Sequence, residues 1–278
     1  LGGKKYLDFI AGVSVSVLGH AHPELVREVS NQMKKLIHIP NTVYIREQAE
    51  LAKLLAGITP GRIGKFFFVS SGAEAVETAF KISIKHTRRR KILAMEGSFH
   101  GRTAGALAAT WKPSYRRPFK PLLPRVFEFV PFNDLDAAER VIGEGTAAVV
   151  VEPVQGEGGI RVVSGEFLRG LRELCDERGA LLVCDEIQCG MGRTGRWFAC
   201  EHWDVEPDVI TVAKGLGGGV PIGCAGAKPE VMDSLSTGDH GATFGGNPLA
   251  CVAAKTVVRI MKRKGLVRRA ERMGAYFR

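Results

Sequence analysis

Short runs of apolar and β-branched residues recur along the chain, at 66–69, 92–95, 126–130, 147–151, 181–185, 209–213 and 222–225. Several, such as "AAVVVEP" and "LLVCDE", are continuous rather than alternating. That is the pattern of strands covered on both faces. Helical periodicity fills the intervals at 73–85, 134–142 and 165–178. Strands alternating with helices predict an α/β fold with a mainly parallel seven-stranded sheet. The pattern assigns 47–250 to one large domain, 1–46 to an N-terminal segment and 251–278 to the start of a C-terminal region. "LGGKKYLDFI" reads as the middle of a hairpin, and 248–264 and 266–278 read as basic helices. The expectation is a fragment whose small domain is only partly present.

Four polar features sit where strands end. "SSGAEA" follows the first run and opens a helix, "EPVQGEGG" follows the fourth, "DEIQ" ends the fifth, and Lys214 ends the sixth. In open α/β sheets, ligands collect at the carboxyl ends of strands. A lysine in a dry strand-end site has a lowered pKa and can act as a nucleophilic amine. A buried carboxylate such as Asp185 can hold a protonated ring nitrogen. Free N–H groups at a helix start suit a phosphate. Phosphate, pyridinium nitrogen and aldehyde are the three handles of pyridoxal phosphate (PLP). Each feature alone has a plainer reading: a salt-bridged lysine, a helix-capping aspartate, a capping serine. Their convergence on one rim is what points to a site.

Composition changes this picture little. The chain has 278 residues, 45% apolar and 24% charged, which is ordinary for a globular protein. Its net charge is +10, read as a solvated basic surface. The densest runs, Arg88-Arg89-Arg90-Lys91 and Lys262-Arg263-Lys264, read as exposed helix ends, so no nucleic-acid partner is expected. Six cysteines form no C-x-x-C, no metal site is expected, and Cys184 and Cys224 read as small core residues in a cytoplasmic, reduced setting. No apolar run approaches 18 residues, so no membrane partner is expected. "GMGRTG" at 190–195 matches G-x-G-x-x-G, yet begins five residues past Asp185 and is followed by the poor helix face "RWFACEHW". A dinucleotide site is therefore set aside.

Longer stretches carry a resemblance. They are "YLDFIAGVSVSVLGHAHPELV", "FFFVSSGAEAVETAFK", "SFHGRTAGALAAT", "VVVEPVQGEGGIR", "LCDERGALLVCDEIQCGMGRTG", "PDVITVAKGLGGGVPIG" and "GDHGATFGGNPLAC". Together they resemble the class-III, fold-type-I, PLP-dependent aminotransferases across nearly the whole chain. The resemblance implies ω-transamination of N-acetylornithine, or a related diamino-acid derivative, with 2-oxoglutarate as acceptor, in arginine or lysine biosynthesis. It implies Lys214 as the Schiff-base lysine and proton shuttle, and Asp185 as partner of the pyridine nitrogen. Ser71, Gly72 and Ala73 are implied at the phosphate and Phe99 on the ring face. Glu186, Ile187 and Gln188 are implied along the cofactor, with Gln188 near the phenolic oxygen. Arg102 is implied to fix the substrate carboxylate by a bidentate pair; read alone, it is an ordinary helix-start arginine. Glu152 is implied near the cofactor. Glu157 is implied to pair with an arginine for which this sequence has no counterpart, so weak or absent turnover is a further expectation. Thr243 is implied to reach a neighbouring subunit's cofactor, which makes the active site shared in a homodimer. Ala242 stands where the family commonly has serine, which removes a side-chain contact to substrate. No catalytic role is assigned to His100. Alternatives are a 4-aminobutyrate aminotransferase, a PLP aminomutase or racemase, and a non-catalytic PLP-binding fragment.

Overall fold

The continuous apolar runs form the strands of a central sheet in the computed structural model, which describes residues 2–278. The strands are β1 (Lys65–Val69), β2 (Lys91–Met95), β3 (Phe127–Val130), β4 (Thr146–Val151), β5 (Val154–Gln155), β6 (Arg161–Val162), β7 (Leu181–Asp185), β8 (Val209–Val212) and β9 (Gly223–Ala227). Seven of them share one sheet in the order β1-β9-β8-β7-β4-β2-β3, and β5 pairs with β6 in a separate ribbon. β9 runs antiparallel to both of its neighbours, and the other pairings in the large sheet are parallel. Each predicted strand is present, with ends shifted by at most two residues.

The helices are α1 (Ala11–Ser14), α2 (Pro23–Met33), α3 (Arg46–Ala56), α4 (Gly72–Thr87), α5 (Ala104–Ala108), α6 (Pro113–Arg116), α7 (Leu135–Val141), α8 (Gly165–Arg178), α9 (Pro229–Met232), α10 (Pro248–Arg263) and α11 (Leu266–Phe277). Local chemistry sets the bounds of α8. The Ser164 side chain accepts from the Phe167 N–H at one end, and Gly179 takes a left-handed φ of 64° at the other. Between those caps, Phe167, Leu168, Leu171 and Cys175 recur at helical spacing and are buried. Burying side chains of this size contributes about 2 kcal/mol each. Phe167→Ala would cost about 3–5 kcal/mol through the cavity it leaves.

Alternate residues of each strand enter opposite layers. Ile92, Ala148, Val150 and Val183 pack under α4 with Val76, Ala79, Phe80 and Ile82. Leu93, Val149, Leu182 and Ile210 pack on the other face with residues of α8, α10 and α3. Helices on both sides explain why the strands read as continuous apolar runs. All six cysteines are free and buried, and burial pushes Cys175 and Cys251 up to about 12.

One expectation fails and another holds in part. The described part of "LGGKKYLDFI" carries a turn, irregular chain and a bend rather than a hairpin, and Leu1 lies outside the described residues. A hairpin needs a partner strand, and no strand precedes Lys65 among the described residues. The run 88–91 is a solvated helix end only at Arg88 and Arg90, which are exposed. Arg88 caps α4 in a left-handed conformation, Lys91 starts β2, and Arg89 donates to the carbonyls of Thr146, Arg178 and Gly179. Those carbonyls close the turn before β7 and the start of β4, so Arg89 acts as an internal clamp.

Candidate active site

β1, β2, β4, β7 and β8 point the same way, so their carboxyl ends share one rim. Antiparallel β9 brings its entry, Pro221–Ile222, to that same rim. A cavity of about 460 Å³ opens there. Residues far apart in the chain line it: Ser71 and Ala73 after β1, Phe99 and Arg102 after β2, Glu152 after β4, Asp185 at the end of β7 and Lys214 after β8. Gly72, Ile187 and Gln188 complete the predicted set that reaches it.

The first turn of α4 forms one end of the cavity. Ser71 is the N-cap, its hydroxyl accepting from the Glu74 N–H, while the Glu74 carboxylate accepts from the Ser70 N–H and the Ser71 hydroxyl. This reciprocal cap leaves the N–H groups of Gly72 and Ala73 with no intrahelical acceptor. At Gly72 an added Cβ would lie 3.0 Å from the Ile187 side chain. The wall is packed so closely that backbone, not side chain, faces the cavity.

Asp185 lies at the floor, buried. Its Oδ1 accepts from the Ile187 N–H at 3.1 Å and from the Thr211 hydroxyl at 2.9 Å. Its Oδ2 accepts from His100 Nδ1 at 2.6 Å. Burial pushes the His100 imidazole down, but the hydrogen bond to Asp185 and that carboxylate's charge outweigh it, and the net shift is upward. His100 Nε2 is buried without a partner. Glu152 accepts from the Phe99 N–H at 2.9 Å, and burial raises its carboxyl to about 8. A carboxyl in that range is mostly protonated at neutral pH.

Lys214 opens a 3-10 turn, Lys214–Leu216, with a φ of 42°, a region that non-glycine residues rarely adopt. Burial draws its amine below the usual lysine range, against the opposing charge of Asp185 above all. A lysine so placed spends more time as the neutral, nucleophilic amine.

These groups fit a phosphorylated pyridine aldehyde. A carboxylate offers about four lone-pair directions. Three on Asp185 are taken, which leaves one for a cationic ring N–H. The free amides of α4 suit a phosphate, and Lys214 offers the amine.

Other predicted residues stand elsewhere. Glu186 turns away from the cavity, which corrects its assignment along the cofactor. Its carboxylate accepts from the N–H groups of Ala199 and Cys200 and from the Cys189 thiol. It caps the 3-10 turn Ala199–Trp203, because successive side chains of an extended segment point to opposite sides. Glu157 lines a neighbouring cavity of about 220 Å³ with Phe99 and Tyr115. Ala242 and Thr243 line a separate cavity of about 730 Å³ beside Gln48, Phe67 and His240. "GMGRTG" forms turns rather than a helix start. An added Cβ at Gly192 would meet Met261 at 2.8 Å, and at Gly195 would meet Glu271 at 2.7 Å, so close packing on α10 and α11 accounts for both glycines.

Sequence reasoning missed two residues. His100, 85 positions from Asp185, carried no local signal beyond standing next to Phe99. Tyr115 lies under the Arg102 guanidinium, 3.7 Å from ring centroid to Cζ, with Phe99 5.5 Å from the same Cζ. An aromatic in the Pro-rich stretch after "SFHGR" was the only clue to it.

Known proteins match this arrangement over the full chain. The family model for class-III aminotransferases matches residues 1–278. An acetylornithine aminotransferase of Methanopyrus kandleri is 54% identical over 272 residues, covering 98% of this chain and 70% of that protein. A Pyrococcus furiosus protein described as a LysW-aminoadipate semialdehyde/glutamate semialdehyde transaminase is 46% identical, covering 96% and 71%. A crystal structure of the ornithine aminotransferase from Toxoplasma gondii superposes with a TM-score of 0.96 at 35% identity, covering 100% of this chain and 68% of that one. The sheet order, the strand-end cavity and these likenesses agree: the chain belongs to the class-III aminotransferases, enzymes of fold type I that work with pyridoxal phosphate.

Proposed function

We propose that this protein transfers the ω-amino group of N-acetylornithine, or of a closely related diamino-acid derivative, to 2-oxoglutarate, forming glutamate in arginine or lysine biosynthesis. The observation that carries the reading is that Lys214, Asp185 and the free amides of α4 line one cavity. The names of the relatives from Methanopyrus kandleri and Pyrococcus furiosus support the substrate class.

When bound, the cofactor supplies an aldehyde and an electron-withdrawing ring. The chain supplies the rest. Gly72 and Ala73 N–H groups, with Ser71, hold the phosphate. Asp185 accepts the ring N–H and keeps that nitrogen protonated, and His100 holds Asp185 in register through the 2.6 Å bond. Phe99 and Ile187 enclose the ring, and Gln188 donates near its phenolic oxygen. Lys214 Nζ would hold the cofactor at its aldehyde carbon and, with a substrate amine in that place, the freed amine would move the proton of the carbon that gives up its amino group. Arg102, braced by Tyr115, receives a substrate carboxylate in a bidentate pair. Glu152, largely protonated, keeps the wall beside Phe99 uncharged, and Glu157 borders the entrance. Thr243 and Ala242 lie outside the Lys214 cavity, which supports a homodimer in which they serve the partner subunit's site. No helix among the described residues is long and apolar enough to cross a membrane, and we assign the enzyme to the cytoplasm.

The test is turnover with each amine in turn. Glutamate formation from 2-oxoglutarate should favour N-acetylornithine over 4-aminobutyrate in kcat/KM. A preference for 4-aminobutyrate would move the assignment to that aminotransferase. Turnover independent of 2-oxoglutarate would indicate an aminomutase.

A further inference from the structure

A cavity of about 480 Å³ lies against the segment 113–127 and shares no lining residue with the Lys214 cavity. Four cations line it, Arg116, Arg117, Lys120 and Arg125, with Leu123 and Phe127 on its apolar wall and no carboxylate. None of the four makes an ion pair among the described residues, although other exposed cations of this chain do, such as Arg62 with Glu230 and Arg27 with Glu28. The nearest acid along the strand, Glu128, alternates to the opposite side of β3 from Phe127 and Phe129 and pairs with Lys91 at 3.6 Å.

The cavity is organised for binding. The Arg116 guanidinium stands 4.7 Å from the Phe129 ring centroid, which fixes its plane, and its Nε is buried without an acceptor. A buried donor left unpaired in a native structure calls for a ligand or a water. Arg117 and Lys120 sit three apart in the 3-10 turn Arg117–Leu122, so their side chains eclipse on one side. Pro118, Pro121 and Pro124 fix φ along the same segment, so little backbone freedom remains to be lost on binding.

From this arrangement we infer a second ligand site in this protein, for a small polyanion carrying at least two phosphoryl groups. The volume is that of a small-molecule pocket. Four unpaired cations exceed what one carboxylate or one phosphate neutralises. Planar guanidinium forks match phosphoryl oxygens. The shared chemistry is a polyphosphate group. An inorganic chain would use the cations alone, whereas a nucleotide would also lay its organic part on Leu123 and Phe127.

Calorimetry on the cofactor-loaded enzyme tests this, because the phosphate cradle of α4 is then filled. The probes are sodium tripolyphosphate and magnesium-free ATP at physiological ionic strength. Both should bind saturably, and Arg116→Gln should weaken each by about tenfold, the scale of one lost charge-assisted hydrogen bond. Arg125→Gln, at an exposed position on another part of the lining, should do the same and stands in if the first variant folds poorly. Tighter binding of ATP identifies an organic ligand, and equal binding identifies an inorganic one. The inference is overturned if neither probe binds saturably, or if binding is indifferent to both substitutions. It is also overturned if anionic vesicles or an RNA oligonucleotide bind through these arginines while the polyphosphates do not.

Discussion

The Lys214 cavity and the Arg116 cavity are nearly equal in size, about 460 and 480 Å³, and they handle charge in opposite ways. At the strand ends, charge is taken out of water and held by partners. Asp185 accepts three hydrogen bonds, and Glu152 is neutral through much of the neutral range. Around Arg116 the cations are largely exposed and unpaired. Buried charge is costly unless it is paired or neutralised, so the first cavity is a set of coupled groups. Exposed charge is hydrated and screened, so the second can leave its cations free for a ligand. Perturbation should therefore propagate in the first cavity and stay local at the surface.

The largest effect is expected at Lys214. Lys214→Ala should lower kcat for glutamate formation by about a thousandfold or more, since it removes both the amine and the proton shuttle. Residual turnover near the wild-type rate would dissolve the contrast between the two cavities.

Next comes Glu152. Its folded value of about 8 lies above the 4.5 of an unperturbed glutamate. The folded state therefore binds a proton more readily than the unfolded one. Stability from this group is complete below about pH 4.5 and is lost as pH rises through 8, a loss on the order of a few kcal/mol. In cofactor-free protein, Glu152→Gln should remove that part of the slope in denaturant-derived stability between pH 5 and 8. An unchanged slope would mean that Glu152 is already ionised in the folded chain.

A smaller effect is expected at Tyr115. Tyr115→Leu removes the ring beneath Arg102 and should raise KM for the carboxylate substrate by about threefold to tenfold, with kcat less affected. Equal losses in kcat and kcat/KM would place the role of Tyr115 in the transition state.

The smallest belongs to the surface. Arg62 and Glu230 pair at 3.0 Å with both side chains well exposed. Arg62→Ala should move the unfolding midpoint by no more than about 0.5 kcal/mol in stability.

Much of this molecule could be read before its structure. The helical periodicity at 165–178 matches α8, and apolar runs sit within the strands they form. The strand-end residues Lys214, Asp185, Ser71 and Glu152 were legible because parallel strands, once inferred, put all their carboxyl ends on one rim. Glu186 was misread because the family motif names the residue and not the side on which it points.

The amino-acid sequence by itself determined the seven strands of the large sheet, five of the helices, the rim and the family, because apolar periodicity and strand-end motifs are local and survive without their neighbours. Only the tertiary structure decided which rim residues touch. The sheet order β1-β9-β8-β7-β4-β2-β3 puts β2 and β7 on either side of β4, and so brings His100 within 2.6 Å of Asp185 across 85 residues. The same three-dimensional packing lays Arg102 on Tyr115 and clamps Arg89 on the carbonyls before β7. Such contacts depend on burial and direction between elements distant in the chain, and no local pattern of residues encodes either.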